Sequence, residues 1–139
     1  MGSTTSSPPL RVLIAEAHPI VALGLTDLLH ELGCELVGSV ASGLEAIRAA
    51  GAHRPDLLLM DVDLRGEMDG ITAGVEIHNR LGIRAVFLAE QCDQTLRVRA
   101  AEADPVALLD KTSSMSVSCP RFLWTPYCSE KLEDRQHGR

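Results

Sequence analysis

Two acidic side chains stand directly after the most apolar short stretch of the sequence. Residues 57–60 read LLLM, and Asp61 and Asp63 follow at once within the segment RPDLLLMDVDLRGEMDG. Four apolar residues bounded by Pro55 and Asp56 are typical of a strand buried on both faces. In open α/β sheets, ligands and reactive groups collect beyond the carboxyl ends of the strands. We therefore predict that Asp61, at the carboxyl end of this strand, is the functional centre.

Strand and helix signals alternate along the chain up to about residue 110. Apolar side chains at three- and four-residue spacing predict a first helix that begins at Pro19 and stops at Gly33, and Asp69 is a candidate cap for the third helix. Short connections between such units imply parallel strands with helices on both faces, which is a doubly wound α/β sheet. The predicted strands are Arg11–Ala15, Glu35–Val40, 57–60, Arg84–Ala89 and 106–109, and the later helices cover about 44–50, from about 70, and 93–103.

The pattern fails after Thr112, where a fifth helix is expected. Serines and prolines interrupt the apolar positions, although three of the four aromatic residues lie there. We predict a disordered amino terminus over 1–9, a single domain over 10–112 and an irregular tail over 113–139 in place of the last helix. The tail is expected to pack on its own domain or on a second copy in a homodimer, with disorder as the alternative.

Length and composition exclude several classes of protein. The 139 residues suit one domain, and a net charge of −6 with scattered basic residues argues against nucleic-acid binding. The sequence has no apolar run long enough to cross a membrane and no secretory leader at its start, so we expect no membrane partner and a cytoplasmic location. The cysteines lack zinc-ligand spacing and are expected to be free thiols; they are Cys34, Cys92, Cys119 and Cys128.

Four signals together resemble a response regulator receiver domain over about residues 10–112. They are DVDLRGEMDGI at 61–71, Glu16 after the first strand, AVFLA in the fourth strand and Lys111 after the fifth strand. The resemblance implies the flavodoxin-like receiver fold, with five parallel strands in the order 2-1-3-4-5. It also implies that Asp61 accepts a phosphoryl group from a histidine kinase or phosphotransfer protein, and that the output passes to a downstream protein partner. We do not expect such a protein to be an enzyme.

The resemblance further implies a magnesium site. An aspartate that attacks phosphorus needs a cation and a positive side chain, because negative charge gathers in the transition state. Mg²⁺ prefers carboxylate and carbonyl oxygens. By resemblance, Glu16, Asp61 and the backbone carbonyl of Asp63 hold Mg²⁺, and Lys111 reaches the phosphoryl oxygens. His18 is interpreted as a boundary residue before the first helix, without a chemical role.

Three residues depart from the family pattern and indicate an atypical receiver. Ala17 replaces a carboxylate that usually ligates the cation, so the affinity for Mg²⁺ should fall. Ala89 stands where the family has Thr or Ser, so no hydroxyl can report phosphorylation. Thr112 replaces a proline, which weakens the rigid placement of Lys111. We expect impaired phosphorylation and switching, and the alternative is a phosphorylation-independent pseudo-receiver that binds proteins.

An alternative interpretation is that the chain is a phosphatase. LLLMDVDLRG also resembles the first motif of haloacid-dehalogenase-type phosphatases, in which two aspartates act as nucleophile and general acid. That motif normally lies on the first strand of its fold, whereas here two strand–helix units precede it, and the chain has no downstream acidic pair for the cation. Turnover of a small phosphate ester would favour the phosphatase, because a receiver should not hydrolyse such substrates.

Overall fold

Five strands and four helices alternate in the part of the chain that the computed structural model describes, which is residues 8–110, with only the backbone of Asp110. The predictions for residues 1–7, for Lys111 and Thr112, and for the tail lie outside this part. The strands are β1 (Arg11–Ala15), β2 (Glu35–Val40), β3 (Leu57–Asp61), β4 (Arg84–Ala89) and β5 (Ala107–Asp110), and the helices are α1 (Pro19–Glu31), α2 (Gly43–His53), α3 (Gly70–Leu81) and α4 (Gln94–Ala101).

The strands form one parallel sheet in the order β2-β1-β3-β4-β5, which confirms the predicted doubly wound, flavodoxin-like arrangement. Each parallel neighbour is reached through a crossover helix, so all carboxyl ends lie along the same edge. The register pairs Ala15 with Met60 and Asp61 with Leu88. The residues that follow β1, β3 and β4 are therefore brought together, although they are far apart in the sequence.

Both faces of the sheet are covered, and β3 contributes to each of them. Successive side chains of a strand point to opposite faces, so the apolar run at 57–60 divides between two core clusters and is buried throughout, as predicted. One cluster packs against α2 and α3, and the other packs against α1. Their principal members are Leu58, Met60, Ala46, Ala50, Ile71 and Ile77 on one face, and Leu57, Leu59, Leu25 and Leu29 on the other.

The start of α3 was predicted correctly from its capping residue, whereas the ends of two helices differ from the prediction. The Asp69 side chain accepts a hydrogen bond from the Thr72 backbone N–H at 2.8 Å, which confirms the predicted cap of α3. Helix α2 continues past Gly51 to His53, however, and Arg54 ends it in a left-handed conformation with φ of 48°. A glycine costs a helix only about 1 kcal/mol, and the hydrogen bond from the Arg54 N–H to the Ala50 carbonyl at 2.9 Å closes this last, exposed turn. Helix α4 begins one residue later and ends two residues earlier than predicted.

Candidate functional site

Asp61 is the last residue of β3, and its exposed fraction is 0%. The central position of β3 places it between the ends of β1 and β4. Its Oδ1 accepts a hydrogen bond from the backbone N–H of Asp63 at 3.0 Å. Burying a carboxylate costs free energy unless hydrogen bonds, an opposite charge or a metal compensates it. A stable arrangement at this edge therefore requires such partners close to Asp61.

Glu16 is brought to Asp61 by the pairing of β1 with β3. It directly follows the last residue of β1, and its backbone N–H donates to the carbonyl of Val40 at 2.9 Å, which anchors the chain where it leaves the sheet. The Glu16 side chain is also 0% exposed. Oxygens of the Glu16 and Asp61 carboxylates lie within 4.8 Å of each other. Two buried acidic groups thus share the carboxyl edge of the sheet.

His18 is the boundary residue before α1, as predicted, but its contacts at this edge were not expected from the sequence. Its backbone N–H donates to Glu16 Oε2 at 3.1 Å, and its ring Nδ1 lies 3.2 Å from the same oxygen. Among the described residues, its side chain caps no backbone N–H, although His18 is the N-cap of α1. The ring is 69% exposed, so it closes the cluster on the solvent side. The signal was its position two residues after Glu16, at the turn from β1 into α1.

Ala17 lies between Glu16 and His18 in the sequence, and its side chain has no polar atom. It lines an open groove of about 560 Å³ together with Glu16, Glu45 and Arg65. A carboxylate at this position would add a negative charge beside two buried ones. The alanine therefore leaves space at the edge and reduces the number of oxygen ligands.

Gly70 allows α3 to begin against the end of β3. Its N–H donates to the carbonyl of Val62 at 2.8 Å. A Cβ at this position would lie 2.0 Å from the carbonyl oxygen of Asp61 and 3.0 Å from Cα of Val62. These distances are shorter than van der Waals contact, so only glycine fits here without a shift of the backbone. The approach holds the chain after Asp61 in a narrow turn.

Ala89 ends β4 and is buried at the base of a second open groove. This groove has a volume of about 600 Å³ and is also lined by Val62, Asp63 and Arg99. No side-chain hydroxyl is available at position 89, because alanine carries none. The groove runs from the surroundings of Asp61 to α4.

An ion pair joins α3 to α4 beside that groove. Arg99 Nη2 donates to Asp69 Oδ2 at 2.9 Å, and both side chains are partly exposed. Burial raises the pKa of Asp69. The hydrogen bond from the Thr72 N–H and the contacts with Arg99 lower it by more than burial raises it, so the pKa of Asp69 lies below its usual value of 3.8. Asp69 is therefore charged at neutral pH and holds both a helix cap and a contact between two helices.

The donor atoms at the edge fit a divalent cation. Glu16 and Asp61 supply carboxylate oxygens, which Mg²⁺ accepts readily, and His18 supplies a ring nitrogen within the same 4.8 Å. The side chain of Asp63 is exposed. Lys111, the predicted positive group, lies outside the described residues. The structure thus brings together Glu16 and Asp61 and adds His18 to them.

Comparisons with known proteins agree with this geometry. The profile of the response regulator receiver domain matches residues 12–118. The transcriptional regulatory protein PdtaR of Mycobacterium tuberculosis is 38% identical over 122 residues, which make up 86% of this chain and 59% of PdtaR. The response regulator protein VraR of Staphylococcus saprophyticus is 32% identical over 110 residues, which make up 78% of this chain and 52% of VraR. The chain thus spans little more than half the length of these curated relatives.

A solved structure matches most of the chain. The signal receiver domain of a modulated diguanylate cyclase from Desulfovibrio desulfuricans has a TM-score of 0.78 and 25% identity, covering 92% of this chain and 99% of that domain. Within residues 8–110, none of the helices is long and apolar enough to span a membrane. By its profile match, its sheet order and its relatives, the chain belongs to the response regulator receiver domain family of two-component signalling.

Proposed function

We propose that Asp61 accepts a phosphoryl group from a histidine kinase or phosphotransfer protein. The observation that carries this proposal is the buried Asp61 carboxylate at the carboxyl end of β3, beside the buried Glu16. In the transfer, a carboxylate oxygen attacks the phosphorus of a phosphohistidine, so that a P–O bond forms as the P–N bond breaks. The imidazole leaves with the electron pair of that bond and takes up a proton. The product is an acyl phosphate on Asp61.

The surroundings of Asp61 favour slow transfer. Glu16, Asp61 and the backbone carbonyl of Asp63 are the proposed Mg²⁺ ligands, and Lys111 is the proposed contact to the phosphoryl oxygens. When bound, Mg²⁺ supplies positive charge against the anionic oxygens of the phosphoryl group. Ala17 removes one carboxylate from a shell that has few protein ligands, so occupancy should require a high Mg²⁺ concentration. Because Ala17 carries no charge, it adds no repulsion to the two carboxylates at the edge.

Switching is proposed to be weak for a separate reason. Ala89 presents only a methyl group to the groove that leads from Asp61 toward α4. A methyl group cannot donate a hydrogen bond to a phosphoryl oxygen, so phosphorylation has no direct contact through which to pull on the end of β4. The Asp69–Arg99 ion pair also holds α4 to α3 without any phosphate. The receiver should therefore signal to its downstream partner mainly through constitutive binding.

Intact-mass measurement after incubation with a small phosphodonor tests this proposal. The unaltered chain should gain one phosphoryl group slowly and only at high Mg²⁺, and Asp61→Asn should gain none. Ala17→Asp should be labelled at lower Mg²⁺, because it restores a carboxylate ligand. Rapid labelling of the unaltered chain at low Mg²⁺ would contradict the proposed effect of Ala17, and equal labelling of Asp61→Asn would contradict the assignment of Asp61.

The alternative is a pseudo-receiver that binds a protein partner without using phosphate, and it is favoured by Ala17 and Ala89 together. This alternative predicts that Asp61→Asn leaves partner binding unchanged and that no condition yields the acyl phosphate. In either case, we propose that the chain is not an enzyme. Incubation with a small phosphate ester should therefore release no phosphate over many equivalents of protein, whereas turnover would support the phosphatase interpretation.

A further inference from the structure

We infer that His18 is a metal ligand, so that Glu16, His18 and Asp61 together form one metal site. Because one of its ligands is a nitrogen atom, this site should prefer a divalent transition-metal ion to Mg²⁺. One donor atom from each of these side chains lies within 4.8 Å of the other two. This inference concerns the metal site alone, and it does not depend on phosphoryl transfer to Asp61.

The distances suit a single ion. Metal–ligand bonds of about 2.1 Å place neighbouring donors about 3 Å apart and opposite donors about 4.2 Å apart. Glu16 Oε2 and His18 Nδ1 are 3.2 Å apart, which matches neighbouring positions of one coordination shell. The upper limit of 4.8 Å for the remaining pairs exceeds the opposite-donor distance by only about half an ångström.

The burial of the three groups suits a site that an ion can enter. Glu16 and Asp61 are held at the base, each with an exposed fraction of 0%, whereas the His18 ring is 69% exposed. The backbone N–H of His18 donates to Glu16 Oε2, which holds this residue in place, whereas its ring does not cap α1. It can therefore approach or leave an ion without unfolding the helix. Water would fill the remaining coordination positions of a bound ion.

The types of donor decide which ion is preferred. Imidazole nitrogen suits Zn²⁺, Fe²⁺, Co²⁺ and Ni²⁺, whereas Mg²⁺ is bound chiefly by carboxylate, carbonyl and water oxygens. Ala17 offers no oxygen to Mg²⁺, while the neighbouring His18 offers a nitrogen. In the neutral ring, Nδ1 coordinates through its lone pair and the proton resides on Nε2. The site thus loses a hard ligand and gains a softer one within two adjacent residues.

Titration of the full chain with Co²⁺, and separately with Mg²⁺, tests the assignment. His18→Gln should lower the Co²⁺ affinity by at least about tenfold, because it removes a direct ligand. The same variant should leave the Mg²⁺ affinity unchanged. His30→Gln is the matched control, because His30 is an exposed histidine at the other end of the same helix and outside the cluster. It should change neither affinity. Asp61→Asn should weaken both metals, because it removes a shared oxygen ligand.

A spectroscopic readout accompanies the titration. Co²⁺ bound to Nδ1 should produce a paramagnetically shifted imidazole N–H resonance in the proton NMR spectrum, and His18→Gln should abolish that resonance. The inference is overturned if His18→Gln binds Co²⁺ as tightly as the unaltered chain, or if it loses Mg²⁺ and Co²⁺ affinity by the same factor. A loss in His30→Gln as large as that in His18→Gln would also overturn it. If Mg²⁺ binding is too weak to measure, the Co²⁺ titration and the resonance decide.

Discussion

Substituting Gly70 by alanine tests whether the turn after Asp61 depends on a missing side chain. The added Cβ would lie 2.0 Å from the carbonyl oxygen of Asp61 and 2.9 Å from its carbonyl carbon. A carbon atom does not approach an oxygen closer than about 3 Å in a packed interior, so the start of α3 and the end of β3 must separate by about 1 Å. Neither side can yield easily, because both are backbone segments.

The free-energy change follows from two opposing effects. Overpacking in a core costs about 1 to 3 kcal/mol, and the upper end applies here because the neighbouring atoms belong to the backbone of a central strand. The shift also strains the 2.8 Å hydrogen bond from the Gly70 N–H to Val62. Alanine is favoured over glycine in a helix by up to about 1 kcal/mol, which offsets part of the cost. We therefore expect Gly70→Ala to reduce the free energy of unfolding by about 2 kcal/mol.

Gly51→Ala is the matched control for Gly70→Ala. Gly51 lies in α2, and no described atom comes within 4 Å of the position that its Cβ would take. The control should be stabilised by about 0.5 to 1 kcal/mol, because only the helix propensity changes. Urea unfolding followed by far-ultraviolet circular dichroism measures both variants. Our account of the turn is refuted if the two variants differ in unfolding free energy by less than about 1 kcal/mol.

Three further perturbations address the core and the surface between α3 and α4. Gly74→Ala should destabilise the protein by about 1 to 2 kcal/mol, because its Cβ would meet Phe87 Cζ at 2.5 Å, and combining it with Phe87→Leu should restore part of the loss in a urea titration. Asp69→Asn keeps an amide cap but loses the charge that faces Arg99. Since the pKa of Asp69 is lowered in the folded state, the charged carboxylate stabilises the fold above about pH 4, and this contribution is lost as pH falls through the folded pKa. The stability difference between this variant and the unaltered chain, under about 1 kcal/mol for so exposed a pair, should therefore shrink on acidification, and a difference that grows would contradict the ion-pair assignment. Ala89→Thr should place a hydroxyl in the adjoining groove and increase the change in amide exchange of α4 on treatment with phosphodonor, whereas an unchanged exchange pattern would show that position 89 does not limit switching.

Local sequence signals were sufficient for the elements that depend on neighbouring residues. The apolar run at 57–60 indicated a strand buried on both faces, since water-free surroundings on each side require an unbroken apolar segment. Asp69 indicated the start of α3, because a side-chain cap acts within three residues. The repeated alternation of strand and helix indicated a parallel sheet, and the resemblance of 61–71 to receiver domains implied the order of its strands. The observed topology confirms both.

Helix ends were less well determined by local signals, because a single unfavourable residue does not stop a helix. Gly51 suggested an end to α2, but the helix continues to His53 before Arg54 turns left-handed. Residues 51–53 are exposed, so this last turn adds no side chain to the core. Its backbone hydrogen bonds, including the one from the Arg54 N–H to the Ala50 carbonyl at 2.9 Å, offset the cost of about 1 kcal/mol for one glycine. The glycine therefore indicated the neighbourhood of the helix end, and the left-handed turn at Arg54 decided the residue.

Contacts between distant residues were decided only by the tertiary structure. Asp69 and Arg99 are 30 residues apart, and their ion pair exists because α3 and α4 follow neighbouring strands on one face of the sheet. The clash that a Cβ at Gly70 would have with Asp61 is equally invisible in the sequence, since it arises from the path of the backbone. His18 is the clearest case: its position before the helix was plain, but its ring nitrogen lies 3.2 Å from Glu16, and the strand pairing brings Asp61 beside them. The sequence by itself determined the strand that ends at Asp61 and the helix start at Asp69, because both follow from short-range signals. Which side chains lie beside Asp61 was decided by strand order, because only that order determines which chain ends meet.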